Sequence, residues 1–204
     1  LGDALASCPP ARPANLEFID IGGGYWPEEG EWLQEAGTTA GALRKLLAPE
    51  SAGTDRRYHV PAAPIEQFAS RLGEAIQRHL LSLADFTICF EPGRWLCHDG
   101  THVLMTVADR KEAGLIITDA GTNAVGWERF ETDFFPVINL TRPALTERPC
   151  DIHGCLCTPH DIWGYSFWGD GIHLGDLLVV PSQGAYTYSL RQDFIKPLPK
   201  AVMI

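Results

Sequence analysis

The chain has 204 residues, 45% of them apolar and 21% charged, which is an ordinary globular balance with enough apolar material for a core. A formal net charge of −10 argues against nucleic acid or an anionic membrane as partner, since nothing offsets phosphate charge. No stretch approaches the ~18 uninterrupted apolar residues of a membrane span, and the N-terminus lacks the charged-then-apolar layout of a secretory leader. The six cysteines are few for this length, and a reducing cytoplasmic setting is expected. The first residue is Leu, so a truncated or processed chain is expected.

Residues 1–15 read as the end of a helix followed by a proline-rich connector. Leu16–Ile21 is an apolar run leading into Gly22-Gly23-Gly24, the pattern of a buried strand entering a loop. Residues 25–62 read as irregular and polar, with a short helix around Thr39–Leu47 and an exposed loop over Pro49–Arg57. Ile65, Phe68, Leu72, Ile76 and Leu80 recur at helical spacing and predict a helix over Ile65–Leu83. Phe86–Phe90 predicts a second buried strand, ending at Glu91-Pro92-Gly93-Arg94. The order strand, loop, helix, strand is α/β. After Arg94 the texture changes. Trp95–Leu96, His102–Val107, Leu115–Thr118, Pro136–Leu140 and Leu177–Val180 are short β-type runs separated by turn residues, which predicts an all-β module. Two domains are expected, 1–95 and 96–204.

Four places carry chemistry. Glycines after a strand let backbone N–H groups converge on an anion, because no Cβ blocks approach; a plain turn is the competing reading of Gly22, Gly23 and Gly24. This is neither a GxGxxG nor a GxxxxGK[ST] loop. Glu91 at a strand end can hold a heterocyclic nitrogen protonated, and Arg94 can grip a phosphate or carboxylate with its fork; a structural Glu–Arg pair is the alternative. Gly184 beside Tyr186 lets a phenol reach over a ligand, or simply marks a turn with a core aromatic. Cys150, His153, Cys155, Cys157 and His160 form the densest cluster. Without a CxxC pair it reads as ordinary thiols and histidines, or as one reactive thiol, ahead of a zinc site.

In this order the islands resemble the fold-type III pyridoxal-phosphate-dependent decarboxylases, the diaminopimelate/ornithine decarboxylase-like family. The resemblance covers nearly the whole chain after residue 16, with an apparent insertion at about 30–57. It implies the second half of a TIM-type (β/α) barrel followed by a β-barrel domain, and pyridoxal 5'-phosphate as cofactor. By the same resemblance Gly22, Gly23 and Gly24 are the phosphate loop, Glu91 pairs with the pyridine nitrogen, and Gly93 and Arg94 contact phosphate or substrate. Asp119-Ala120-Gly121-Thr122-Asn123 is similar to the family's Asp-Ala-Gly stretch. The segment Gly154–Asp161 resembles the one bearing the catalytic cysteine, here Cys157, which family members contribute across a homodimer interface. Tyr186 is similar to the tyrosine on the cofactor phosphate.

The departures are informative. Where family members carry an acid that recognises the substrate's distal amine, this chain has Thr158; Trp127 and Glu131 stand in the slots for a distal carboxylate, with Arg129 out of register. Thr158 and Asp161 are expected substrate contacts, and a non-standard or substituted amino acid is the expected substrate. No metal is expected. The lysine that holds the cofactor lies upstream of the glycine triplet in the family, whereas Lys45, Lys111, Lys196 and Lys200 all follow it here. The chain is therefore expected to be a C-terminal half whose partner is the N-terminal half of the same enzyme. A non-catalytic regulatory or binding relative is the alternative; a racemase would want a tyrosine at Cys157.

Overall fold

The computed structural model describes residues 1–8, 16–35, 38–48, 57–83, 86–126 and 134–204. They group into two units, one formed by residues 1–30 and 61–96, the other by 31–60 and 97–204.

The first unit opens with α1 (Gly2–Ala6) and contains a strand–helix–strand element: β1 (Phe18–Asp20), α3 (Ile65–His79) and β4 (Thr87–Cys89). β1 and β4 are parallel, with Phe18 opposite Thr87 and Asp20 opposite Cys89. The pairing runs past both named strands, because Ile21 N donates to Cys89 O and Glu91 N to Gly22 O. The helix predicted from five apolar residues at helical spacing is there. Its stripe packs through Ile76 onto Ile19, Leu80 and Phe86, joined by Ile21 and Ile88. Arg78 stands in its last turn, where positive charge suits exposed carbonyls. Phe68 stays 41% exposed, and no residue of α3 is buried.

Trp95–Leu96, expected as a β run, is helical instead. It lies in α4 (Gly93–Cys97), which passes into a 3₁₀ turn at His98–Gly100. Pro92 explains the change. Its ring fixes φ at a value a helix start accepts, and its carbonyl takes the Leu96 N–H at 3.0 Å.

The second unit is built on a closed six-stranded barrel. Its strands are β5 (Val103–Glu112), β6 (Leu115–Thr118), β7 (Ile138–Asn139), β8 (Glu147–His153), β9 (Ile162–Trp168) and β10 (Leu177–Val180). They run in the order β10-β5-β6-β8-β9-β7 and close where β7 pairs with β10. Alternation decides which side chains face inward. Val103, Met105 and Val107 alternate with Leu104 and Thr106 on β5, as Leu178 and Val180 do with Leu177 and Val179 on β10. The interior holds Met105, Val107, Ile116, Val137, Ile152, Trp163, Phe167, Leu178 and Val180. Trp163 is fully buried, and its indole N–H donates to Ala120 O at 2.8 Å, which meets the polar requirement of a core tryptophan.

Residues 25–62 are not wholly irregular. β2 (Glu31–Gln34) and β3 (Arg57–Val60) form an antiparallel pair, and α2 (Thr39–Leu47) lies between them in sequence, with Thr38 Oγ1 accepting from Gly41 N as its N-cap. Arg57 ties this pair to the barrel. Arg57 forms a two-pronged ion pair with Glu147 on β8, donates to Ser166 Oγ on β9 at 2.9 Å, and stacks 3.8 Å from the Phe134 ring centroid. Burial by itself would push the Glu147 pKa up, but hydrogen bonds from Arg57 and Ser166 and the guanidinium charge outweigh it and hold the carboxyl below its ordinary range. Most of the loop expected over Pro49–Arg57 lies outside the described residues.

Candidate active site

The C-terminal ends of β1 and β4 place two of the predicted islands together, Gly22–Gly24 and Glu91–Arg94. Gly22 and Gly24 have φ of +76° and +92°, values that glycine alone adopts freely. A Cβ on either would meet nothing within 4 Å, whereas a Cβ on Gly23 would lie 2.7 Å from Glu91 O. Gly23 is thus required for close approach of the two chain segments, and Gly22 and Gly24 for the turn. Asp20 Oδ1 accepts from Gly22 N at 2.8 Å and fixes the first turn. Among the described residues the N–H groups of Gly23 and Gly24 have no acceptor. Two adjacent N–H donors and Arg94, in the short helix that follows β4, are a donor set suited to a phosphate monoester, and the Glu91 backbone lies beside them.

Arg94 is held from below. Its guanidinium carbon lies 4.1 Å from the Trp26 ring centroid. Tyr25, between Gly24 and Trp26, is buried and meets Phe68 edge-on at 5.0 Å. Burial, helped by the Asp20 charge, pushes its phenol pKa up and keeps it neutral. An apolar groove of about 430 Å³ runs along this face, lined by Ile21, Gly23, Tyr25, Phe68, Leu72 and Ile76 among others.

In the second unit, the loop between β8 and β9 carries Cys157 and Thr158, and its fixed point is Asp161. That residue is only 2% exposed. Its carboxylate accepts from Thr122 N at 2.7 Å, Thr122 Oγ1 at 3.1 Å and Leu156 N at 2.7 Å. An expected substrate contact is therefore a loop anchor: both oxygens are taken within the chain. The anchor unites two predicted motifs, because Thr122 belongs to the Asp119–Asn123 stretch and Leu156 to Gly154–Asp161. Gly154 and Gly121 allow it, since a Cβ would lie 2.3 Å from the Asp161 oxygens in one case and 2.4 Å from Leu156 Cγ in the other.

The cysteine cluster separates by burial. Cys150 faces the barrel interior, where desolvation pushes its pKa up to about 11, an inert thiol. Cys155 is half-buried and its Sγ donates to Asp119 O at 3.3 Å; burial and then the Asp161 charge raise its pKa. Cys157 is exposed. Among the described residues no group of three or more His, Cys, Asp or Glu is placed to hold a metal.

Tyr186 is 57% exposed and sits at φ +59°, a left-handed conformation uncommon for a non-glycine residue. Gly184, two residues earlier, is held against the 3₁₀ turn: its N–H donates to His98 O at 3.1 Å, and a Cβ would lie 1.5 Å from Cys97 O. The glycine serves backbone contact, which the sequence alone does not reveal. Trp26 and Thr122 were missed as site residues; for Trp26 the only available signal was its place two residues after the glycines. Trp127, Arg129 and Glu131 lie outside the described residues.

No family model matches the chain. A diaminopimelate decarboxylase of Methanothermobacter thermautotrophicus is 26% identical, over 95% of this chain and 40% of that protein. By this match the chain is similar to the C-terminal part of the fold-type III pyridoxal-phosphate decarboxylases. Solved structures of such decarboxylases share the fold. The diaminopimelate decarboxylase of M. jannaschii superposes with a TM-score of 0.61 at 20% identity, over 86% of this chain and 35% of that one. The lysine decarboxylase of Selenomonas ruminantium gives 0.57 at 18% identity, over 87% and 39%. One such enzyme was crystallised with pyridoxal phosphate and cadaverine. The chain thus spans about 40% or less of the decarboxylases it matches here. Its barrel matches their C-terminal β-barrel domain. Among the described residues no helix is long and apolar enough to cross a membrane.

Proposed function

We propose that this chain is the C-terminal portion of a pyridoxal-phosphate-dependent amino-acid decarboxylase. The observation that carries the reading is Glu91 beside the glycine loop: Glu91 N bonds Gly22 O at 3.0 Å, and Gly23 lies against Glu91 O. An acid and an anion seat are thereby neighbours at the ends of two parallel strands. The unpartnered Gly23 and Gly24 N–H groups, the open space at Gly22 and Gly24, and Arg94 fit a phosphorylated heterocycle.

When bound, the cofactor supplies an electron sink for loss of carbon dioxide. The residues of this chain do the rest. The glycine loop, Gly93 and Arg94 would hold the phosphate. Glu91 keeps a proton on the ring nitrogen, which strengthens the sink. Cys157 holds a proton at Sγ for return to the substrate carbon. Thr158, in place of an acid, disfavours a substrate with a distal cation, because such a cation would lose water without gaining a partner. A substituted or non-standard amino acid is the substrate class this favours. The strand–helix–strand unit reads as part of a TIM-type barrel, completed by an N-terminal half. The working form is a cytoplasmic homodimer with Cys157 serving the partner's site.

The second reading is a non-catalytic binding relative of the same family. Co-expression with a lysine-bearing N-terminal half separates the two. The enzyme reading expects cofactor-dependent carbon dioxide release that Glu91→Ala abolishes. Turnover retained in Glu91→Ala would overturn the ring-nitrogen role. Cofactor binding without turnover on any amino acid tested would favour the second reading.

A further inference from the structure

Arginine is a poor point of recognition unless something fixes it, because its long side chain samples many rotamers and gives up that freedom on binding. Here something does. Trp26 is half-buried, and the Arg94 guanidinium lies over its ring at 4.1 Å, well inside the ~6 Å reach of a cation–π contact. The two residues come from different segments. Trp26 follows the glycine loop that leaves β1, and Arg94 belongs to the short helix that follows β4. Parallel pairing of β1 with β4 and the bond from Glu91 N to Gly22 O set these segments side by side. Pro27, next in sequence and buried, limits the backbone that carries the indole.

The geometry suits a supporting part. Stacking engages the flat face of a guanidinium, whereas hydrogen bonds to an anion run in its plane, so the two do not compete. We propose that Trp26 is a positioning residue. Its indole fixes the Arg94 guanidinium beside the Gly23 and Gly24 N–H groups, so that arginine and loop present one preformed seat to a phosphate monoester. The inference rests on the reading of Arg94 and the glycine loop as an anion seat. Trp26 itself touches no ligand in it.

Titration calorimetry of the 204-residue chain at low ionic strength tests this, with inorganic phosphate and pyridoxal 5'-phosphate as probes. Trp26→Ala and Trp26→Leu are expected to weaken binding by roughly two- to five-fold, the span of one cation–π contact at a partly exposed site. Trp26→Phe keeps a π face and is expected to restore most of the affinity, whereas leucine keeps only apolar bulk. Arg94→Ala is expected to weaken binding by at least about ten-fold, as loss of a charged hydrogen-bond donor does. In the Arg94→Ala background, Trp26→Leu is then expected to change nothing further. The Arg94 side-chain proton resonances should also lose their ring-current shift in Trp26→Leu and keep most of it in Trp26→Phe. If Arg94→Ala weakens binding while Trp26→Leu does not, the positioning part is wrong and the seat stands. If Arg94→Ala has no effect, or the parent chain binds neither probe, the seat itself fails and takes this inference with it.

Discussion

Replacing Asp161 with alanine should unfold the barrel unit at markedly lower denaturant. The carboxylate accepts three hydrogen bonds, two of them from backbone N–H groups of the nearly buried residues Thr122 and Leu156. Alanine supplies no acceptor, and the space is too confined for easy solvation. Each stranded donor costs about 1–3 kcal/mol, so a loss of about 3–5 kcal/mol is expected. Asp161→Asn keeps one acceptor oxygen but turns an NH₂ group toward a donor, and should cost about 1–2 kcal/mol. Urea unfolding, followed by the fluorescence of a chain that includes the fully buried Trp163, measures both. Thr122→Val removes one of the three bonds. A double-mutant cycle with Asp161→Ala should therefore show coupling of about 0.5 kcal/mol or more. An Asp161→Ala protein within about 0.5 kcal/mol of the parent would refute the anchoring role, since changes that small are typical of unengaged surface sites.

Gly184→Ala places a Cβ 1.5 Å from Cys97 O, so the two backbones must part and the Gly184 N–His98 O and Gln183 N–Thr101 O bonds weaken. About 3 kcal/mol should be lost, read as a lower melting temperature; an unchanged one would show that the backbones do not meet. Glu147 predicts a pH dependence. Its folded pKa lies below the ordinary glutamate value of 4.5, so its stabilisation is fully present above that value and disappears as pH falls through the lower folded value. The stability difference between the parent and Glu147→Gln should be constant from neutral pH to about 5 and shrink under further acidification. A difference that grows on acidification would reverse the sign and sink the argument.

What the sequence made legible is what local pattern encodes. The alternation in Val103–Val107 and Leu177–Val180 and the helical spacing from Ile65 to Leu80 each need only neighbours within a few residues, and each became the element expected. The glycine loop and Glu91 were legible for the same reason, as punctuation at strand ends. What was hidden is non-local. β3 reads as polar chain until Arg57 meets Glu147, 90 residues away. β8 carries Pro149, and its ladder with β9 shifts register between Pro149 and Ile152, which breaks the period that would announce a strand. Asp161 reads as a substrate contact until Thr122 and Leu156 close on it.

Closure of the β10-β5-β6-β8-β9-β7 ring leaves no open strand edge there, whereas β1 and β4 form a sheet of two. Backbone groups along an open edge are what a protease cleft or another polypeptide's strand engages. Limited digestion should accordingly nick the glycine-loop segment early and leave the ring as the resistant core, and a companion polypeptide that supplies further parallel strands should delay those cuts without altering the rate at which the ring is lost.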